Sequence, residues 1–226
     1  MRRVLSKEGT VIHDRVDYSD KELNLLKTIL AKGMESVAQV VSDMIGQKIN
    51  MSVPEVSLMS YDELARICTC DIDEPSIGVQ VKMSGNIEGY VALFFPPASA
   101  YCVIDLLLGN ERGTSSHLTD MGGSALCEIG NLAGAFFLNY LADATSLRAM
   151  PSPPVLNGSA VVIQELQSFF GGSDQSGCNK AFVAQTVLSY SAESVDTLFF
   201  ILPTHESLAT ILGALKKSGK ESDGGT

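Results

Sequence analysis

Positive charge is scarce in this sequence: 16 Lys and Arg stand against 26 Asp and Glu, a formal net charge of -10 over 226 residues. A nucleic-acid binder displaces counterions with clustered Lys and Arg, and a grip on anionic lipid needs the same cations. Neither partner is expected. The chain also lacks an apolar run near the ~20 residues that span a bilayer. Its start, Met1-Arg2-Arg3-Val4-Leu5-Ser6, is basic only at positions 2 and 3 and leads into polar His13-Asp14-Arg15. The apolar core of a signal peptide is missing, so the chain reads as cytoplasmic, with no membrane insertion. A disulfide framework is missing as well: Cys68, Cys70, Cys102, Cys127 and Cys178 are an odd count, which fits reduced, mostly buried thiols. Cys68-Thr69-Cys70 has no second ligand pair to complete a zinc site. His13, His117 and His205 are too scattered for a metal cluster or a triad, and no Gly-rich phosphate cradle is present. No metal or cofactor of its own is expected.

What the chain does have is a core. Hydrophobic residues make up 45% and charged residues 19%, the balance of an ordinary globular protein. It also carries a faint internal repeat. Ser19-Asp20-Lys21-Glu22 has the form of a capping box and opens an amphipathic stretch with Leu23, Leu26, Leu30, Val37, Val41 and Met44 near helical spacing. Gly46 is a natural end for it, and the extended run Val53 to Met59 follows. In the second half Thr119 or Asp120 would cap a helix through Leu126, Ile129, Phe136 and Leu141, followed by Pro151 to Leu156 and the strand-like Ala160-Val161-Val162-Ile163. Pro154 stands one hundred residues after Pro54. Each half then ends alike: a strand, Gly89 to Phe95 or Asp196 to Leu202, enters a proline and a helix, Ala100 to Leu108 or Glu206 to Leu215.

Ile77 to Met83 alternates faces as a half-buried antiparallel strand should, and Gly171 to Gly177 reads as a loop between strands. The expected fold is α/β (α+β). It is one domain with a pseudo-two-fold internal repeat, a mixed, mainly antiparallel sheet and two long helices packed on it. Residues 1–17 read as a loosely ordered extension, residues 18–216 as the domain (pseudo-repeats about 18–111 and 118–216), and residues 217–226 as a disordered tail. Phe94, Phe95, Phe136, Phe137, Phe199 and Phe200 are core candidates. His205, just before Glu206, is expected to cap a helix, and Cys127 to be a small core residue, since nothing nearby would stabilise a thiolate.

Within the second long helix, Ser124, Glu128 and Asn131 lie at offsets of four and seven residues. At about 100° per residue they share one face within roughly 60°, a polar stripe beside the apolar one. By composition alone roughly one chain of this length in two contains Glu-x-x-Asn, so the pair means little until its surroundings are read. Asn139, two turns on, fits either a partner contact or solvated surface.

Those surroundings carry a pattern. Ser124-x-x-x-Glu128-x-x-Asn131, then twenty-two residues, then Pro154, resembles the phosphatase signature of the CheC/CheX/FliM-like family. Glu128-Ile129-Gly130-Asn131-Leu132 resembles its core motif and Met150-Pro151-Ser152-Pro153-Pro154 its proline-rich segment. Leu107 to Glu111 and Leu202 to Leu208 resemble further family segments, so the likeness spans about residues 20 to 216. It implies a CheC-type phosphatase acting on the aspartyl phosphate of a CheY-type receiver. Glu128 would bind the receiver's lysine, and Asn131 would hold a water in line with phosphorus. Ser124 would support them by hydrogen bonding, Pro154 would fix the strand after the helix, and Mg2+ would belong to the receiver. The first half departs from the pattern: Asn24, Thr28, Ala31 and Pro54 stand at the matching positions. Threonine supplies no carboxylate and alanine holds no water, while Lys27 and Lys32 would repel a receiver lysine. One active site is therefore expected. Two other classes stay open, an adaptor pairing with the deamidase CheD and a flagellar-switch component of similar fold.

Overall fold

The computed structural model describes residues 19–51, 55–68, 75–173, 180–190 and 197–223. The first half runs through α1 (Asp20–Ile45), β1 (Ile49–Met51), β2 (Glu55–Ser60), α2 (Tyr61–Cys68), β3 (Ile77–Gly85), β4 (Gly89–Phe95) and α3 (Pro97–Leu108). The second half repeats the order in α4 (Asp120–Thr145), β5 (Ala149–Pro151), β6 (Val155–Gly158), α5 (Ser159–Ser173), β7 (Lys180–Tyr190), β8 (Thr197–Pro203) and α6 (His205–Asp223). The long helices start as their sequences dictate. Ser19 and Glu22 close a capping box on α1, and Thr119 Oγ1 accepts the Gly122 N–H at 3.1 Å at the start of α4; each bond satisfies a donor that the first turn leaves unpaired. Their ends match too, Gly46 at φ 70° and Ser146 at φ 59°.

The sheet order is β1-β7-β8-β4-β3-β5, with β2 also on β7 and β6 also on β3. The short strands of each half thus complete the sheet of the other. At the centre β4 lies on β8 with Ala92 opposite Phe200, flanked by Val91–Ile201 and Leu93–Phe199, so the pseudo-two-fold passes through the Ala92–Phe200 pair. Every pairing among the described strands is antiparallel. The expected admixture of parallel pairs does not occur among them, although β1 and β7, β8 and β4, and β3 and β5 are neighbours distant in sequence.

Two apolar clusters sandwich the sheet. One face carries α1, α4, α3 and α6 over Val79, Val81, Val91, Leu93 and Phe199. The other carries α2 and α5, whose Leu64, Val162 and Leu166 bury against Phe94, Phe200 and Leu202. This third layer corrects the sequence reading. Ala160 to Ile163 is not a strand but the start of α5, because Val162, Ile163, Leu166 and Phe170 form a helical stripe and the sheet already has its edge in β5 and β6. Residues 171–173 end that helix, and the rest of the expected loop lies outside the described residues. Helix α6 runs to Asp223, past residue 216 where the disordered tail was expected; residues 1–17 and 224–226 lie outside the described residues. Phe136 is 40% exposed and leaves the core to Phe137, 1% exposed. His205 does not cap α6: Thr204 Oγ1 accepts the Ser207 N–H at 3.2 Å. Among the described residues α4 is long and apolar enough, by length and composition, to cross a bilayer. Its apolar stripe, Leu126, Ile129, Phe137 and Leu141, is buried against α1 and the sheet.

Candidate functional site

Helix α4 can lie close on the sheet because of its glycines. A Cβ at Gly130 would overlap Val79 Cγ1 on β3, and one at Gly134 would come within 3.3 Å of Val81. Only a residue without Cβ allows that approach. The same built Cβ at 130 lies 3.9 Å from Pro154, so the proline-rich segment packs directly beside the Glu-Ile-Gly-Asn turn. Glycine in that motif sets the depth at which Glu128 and Asn131 sit.

Opposite them stands a bulge. β5 leaves β3 at the Met83–Pro151 pair and β6 joins it at Gln80–Val155, so three residues, 152–154, face two, Val81 and Lys82. The ladder bond that Lys82 would lose is replaced. Lys82 N–H donates to Ser152 Oγ at 3.0 Å, Ser152 N–H donates to the Lys82 carbonyl at 2.8 Å, and Ser152 Oγ donates to the Pro153 carbonyl at 2.9 Å. The wall of the site is held by one serine.

Between helix and wall lies an open groove of about 900 Å³ lined by Asp120, Ser124, Cys127, Glu128 and Asn131 on one side and Pro151, Ser152, Pro153, Pro154 and Leu156 on the other. The structure therefore brings together Ser124, Glu128, Asn131 and Pro154. Glu128 is exposed and Asn131 half-exposed. Ser124 Oγ donates to the Asp120 carbonyl at 2.9 Å, a bond within the helix. Burial pushes the Cys127 thiol upward in pKa, keeping it protonated and poorly nucleophilic, and it lines the groove instead of the core. Asn139 is exposed further along α4. No group of three or more potential metal ligands occurs among the described residues.

The loop before α4 is pinned by Asp105, which is fully buried and accepts N–H bonds from Gly113 at 2.8 Å, Thr114 at 3.0 Å and Ser115 at 3.0 Å. Burial opposes its ionisation, but these bonds outweigh it and hold the carboxyl below the usual carboxylate range.

Among its described residues the first half builds nothing equivalent. Thr28 Oγ1 donates to the Asn24 carbonyl at 2.9 Å, and Ala31 is half-buried; Pro54 lies outside the described residues. Leu30, 5% exposed, stands where α4 has Gly130. A groove along α1 is centred further down the helix, on Glu35, Gln39, Asp43 and Lys48, and takes in neither Thr28 nor Ala31.

No family model matches the chain. Its sequence is 27% identical over 205 residues to the CheY-P phosphatase CheC of Bacillus subtilis (strain 168), covering 88% of this chain and 96% of that one. The chain is similar to CheC over most of its length. Its fold agrees: Thermotoga maritima FliY superimposes with a TM-score of 0.70 at 16% identity, over 89% of this chain and 98% of that one. A chain of the CheX-CheY-BeF3-Mg+2 complex from Borrelia burgdorferi gives a TM-score of 0.52 at 17% identity, over 78% and 98%. Against this CheC-like frame, the sequence left three groove residues unmarked. Asp120 was noted only as a cap, Ser152 only as part of a proline run, and Cys127 only as core. Their signal was adjacency to the motif; their role in the groove depends on the bulge, which no periodicity reports.

Proposed function

We propose that this CheC-like chain is a cytoplasmic chemotaxis phosphatase that hydrolyses the aspartyl phosphate of a CheY-type receiver at one active site in its second half. The observation that carries this reading is the pairing of a carboxylate and a carboxamide, Glu128 and Asn131, one helical turn apart in a single groove. In this reading Glu128 binds the receiver's lysine and anchors the two proteins. Asn131 accepts a hydrogen bond from a water held in line with phosphorus. The water oxygen forms the new P–O bond, the bond to the receiver's aspartate breaks, and the carboxylate leaves as inorganic phosphate takes the water's proton. A carboxamide suits this work because it donates and accepts hydrogen bonds without placing another negative charge beside the phosphoryl group. Positioning is most of what such a transfer needs, with Mg2+ supplied by the receiver. Ser124 supports the stripe and Pro154 holds the wall.

The test is the decay of a phosphorylated CheY-type receiver with wild type, Asn131→Ala and Glu128→Ala. Accelerated decay lost in both variants supports the reading; no acceleration over the receiver's own decay sinks it. A second reading is a non-catalytic component of the same fold: a flagellar-switch protein or a CheD-binding adaptor. A chain that binds a switch protein or CheD without accelerating phosphate release would fit that reading instead.

A further inference from the structure

The wall of the groove is poor in the means to hold itself. Pro151, Pro153 and Pro154 bring no N–H, so along this stretch only Ser152 can donate a backbone hydrogen bond. The sheet is short of partners at the same place, because the bulge sets residues 152–154 against Val81 and Lys82. Ser152 meets both needs. Its N–H donates to the Lys82 carbonyl, and its Oγ accepts the Lys82 N–H and donates its own proton to the Pro153 carbonyl. Accepting one bond and donating another from a single small atom is what a hydroxyl offers and a methyl does not. Ser84, on the same strand, makes a contrasting bond: its Oγ donates to the Met150 carbonyl at 3.3 Å, beyond the bulge, and neither residue lines the groove.

We infer that Ser152 is a positioning residue for the hydrolysis proposed above, its hydroxyl fixing Pro154 against Gly130 and thereby the face that Asn131 presents to the attacking water. This role presupposes the phosphatase reading and adds a residue outside the pattern of Ser124, Glu128, Asn131 and Pro154. The route from hydroxyl to carboxamide is short. Pro154 stands two residues beyond Ser152, a Cβ at Gly130 would lie 3.9 Å from its ring, and Asn131 follows Gly130 in α4. Without the hydroxyl, Lys82 N–H loses its acceptor, and Pro153 and Pro154 have no N–H with which to regain the sheet. The wall is then tied only at Pro151 and Val155, its flanking paired residues. A misplacement of ~1 Å in a positioned group costs up to ~10² in rate. Binding of the receiver is spared, because the Ser152 proton is committed within the wall and Glu128 stands on the helix. The effect therefore belongs to kcat and not to KM.

The experiment is steady-state dephosphorylation of a phosphorylated CheY-type receiver by wild type, Ser152→Thr, Ser152→Val and the control Ser84→Ala. Hydrogen exchange at the Lys82 amide and Tm are measured on each. Threonine and valine have nearly the same shape and both suit extended backbone, so the difference between them reports the hydroxyl. Ser152→Val should lower kcat about tenfold at unchanged KM and speed exchange at Lys82. Ser152→Thr and Ser84→Ala should keep the wild-type kcat. Equal kcat in the threonine and valine variants, with Lys82 exchange faster in the second, overturns the role and leaves the clasp purely structural. So does a loss confined to KM, or a loss that follows Tm and is shared by Ser152→Thr. Should Ser152→Val not fold, Ser152→Ala against Ser152→Thr makes the same comparison. A wild type without turnover sinks the phosphatase reading and this role with it, whereas an active wild type indifferent to Ser152→Val sinks this role alone.

Discussion

Helices α1 and α4 are both 26 residues long, capped alike, and related by the internal symmetry, yet the groove beside α4 takes in Glu128 and Asn131, whereas the groove along α1 lies further down the helix and takes in neither Thr28 nor Ala31. The difference comes down to a few substitutions at equivalent positions. Gly130 in place of Leu30 lets α4 lie against Val79. Glu128 and Asn131 replace Thr28 and Ala31. A duplicated fold can specialise one copy and keep the other as scaffold because its two long helices share one core, which both must fill whichever of them does chemistry.

The comparison can be broken most severely at Asn131. Asn131→Ala should lower receiver dephosphorylation by ~10² or more with Tm unchanged, whereas Thr28→Glu with Ala31→Asn should create no second activity. A gain of turnover from that double variant would show that the first half lacks only two side chains. Next in size, Gly130→Leu, which gives α4 the residue that α1 carries, should cost about 3 kcal/mol by overpacking Val79. Denaturant titration measures it, and a neutral result would mean that the helix stands off the sheet.

A smaller effect concerns Asp105, whose carboxyl is held below its usual range in the folded state. Its stabilisation is present above the unfolded carboxylate pKa and is lost as pH falls through the folded one. Asp105→Asn should therefore lower Tm at neutral pH, and the gap to wild type should close on acidification. A gap independent of pH would point to packing instead of charge. The smallest expected effect is at the helix ends. Gly46 and Ser146 both sit in the left-handed region, at φ 70° and 59°, which costs a serine what glycine avoids. Ser146→Gly should raise stability by about 0.5–1 kcal/mol in the same titration, while Gly46→Ser should lower it by a similar amount.

Much of this architecture is legible in the chain because it rests on local rules. The capping box at Ser19 and Glu22, the stop at Gly46 and the strand-proline-helix endings all follow from short-range sterics and hydrogen bonding. Ile77 to Met83 is a strand but not the half-buried one its alternation suggested, since Ile77 to Val81 are all buried between two helical layers. The spacing of Ser124, Glu128 and Asn131 fixes a common face for the same reason, a constant turn per residue. Val161, Val162 and Ile163 were misread as strand because β-branching favours extended backbone only where a pleated neighbour exists, and here the neighbouring element is a sheet face to be covered. Helical spacing puts Phe137 in the middle of the stripe of Leu126, Ile129 and Leu141 and Phe136 about 100° away from it, and the structure buries the first and exposes the second.

By itself, then, the sequence determined the two long helices, their caps, the duplication and the polar stripe on one face of α4. Tertiary structure alone decided that each half's short strands complete the other's sheet, that Ser152 clasps Lys82 to raise a wall, and that the groove opens beside Asn131 but not beside Ala31. The reason is physical. Local elements depend on neighbours a few residues away, whereas a groove depends on how closely two distant backbones approach, and here that distance is set by the missing Cβ of Gly130 against Val79.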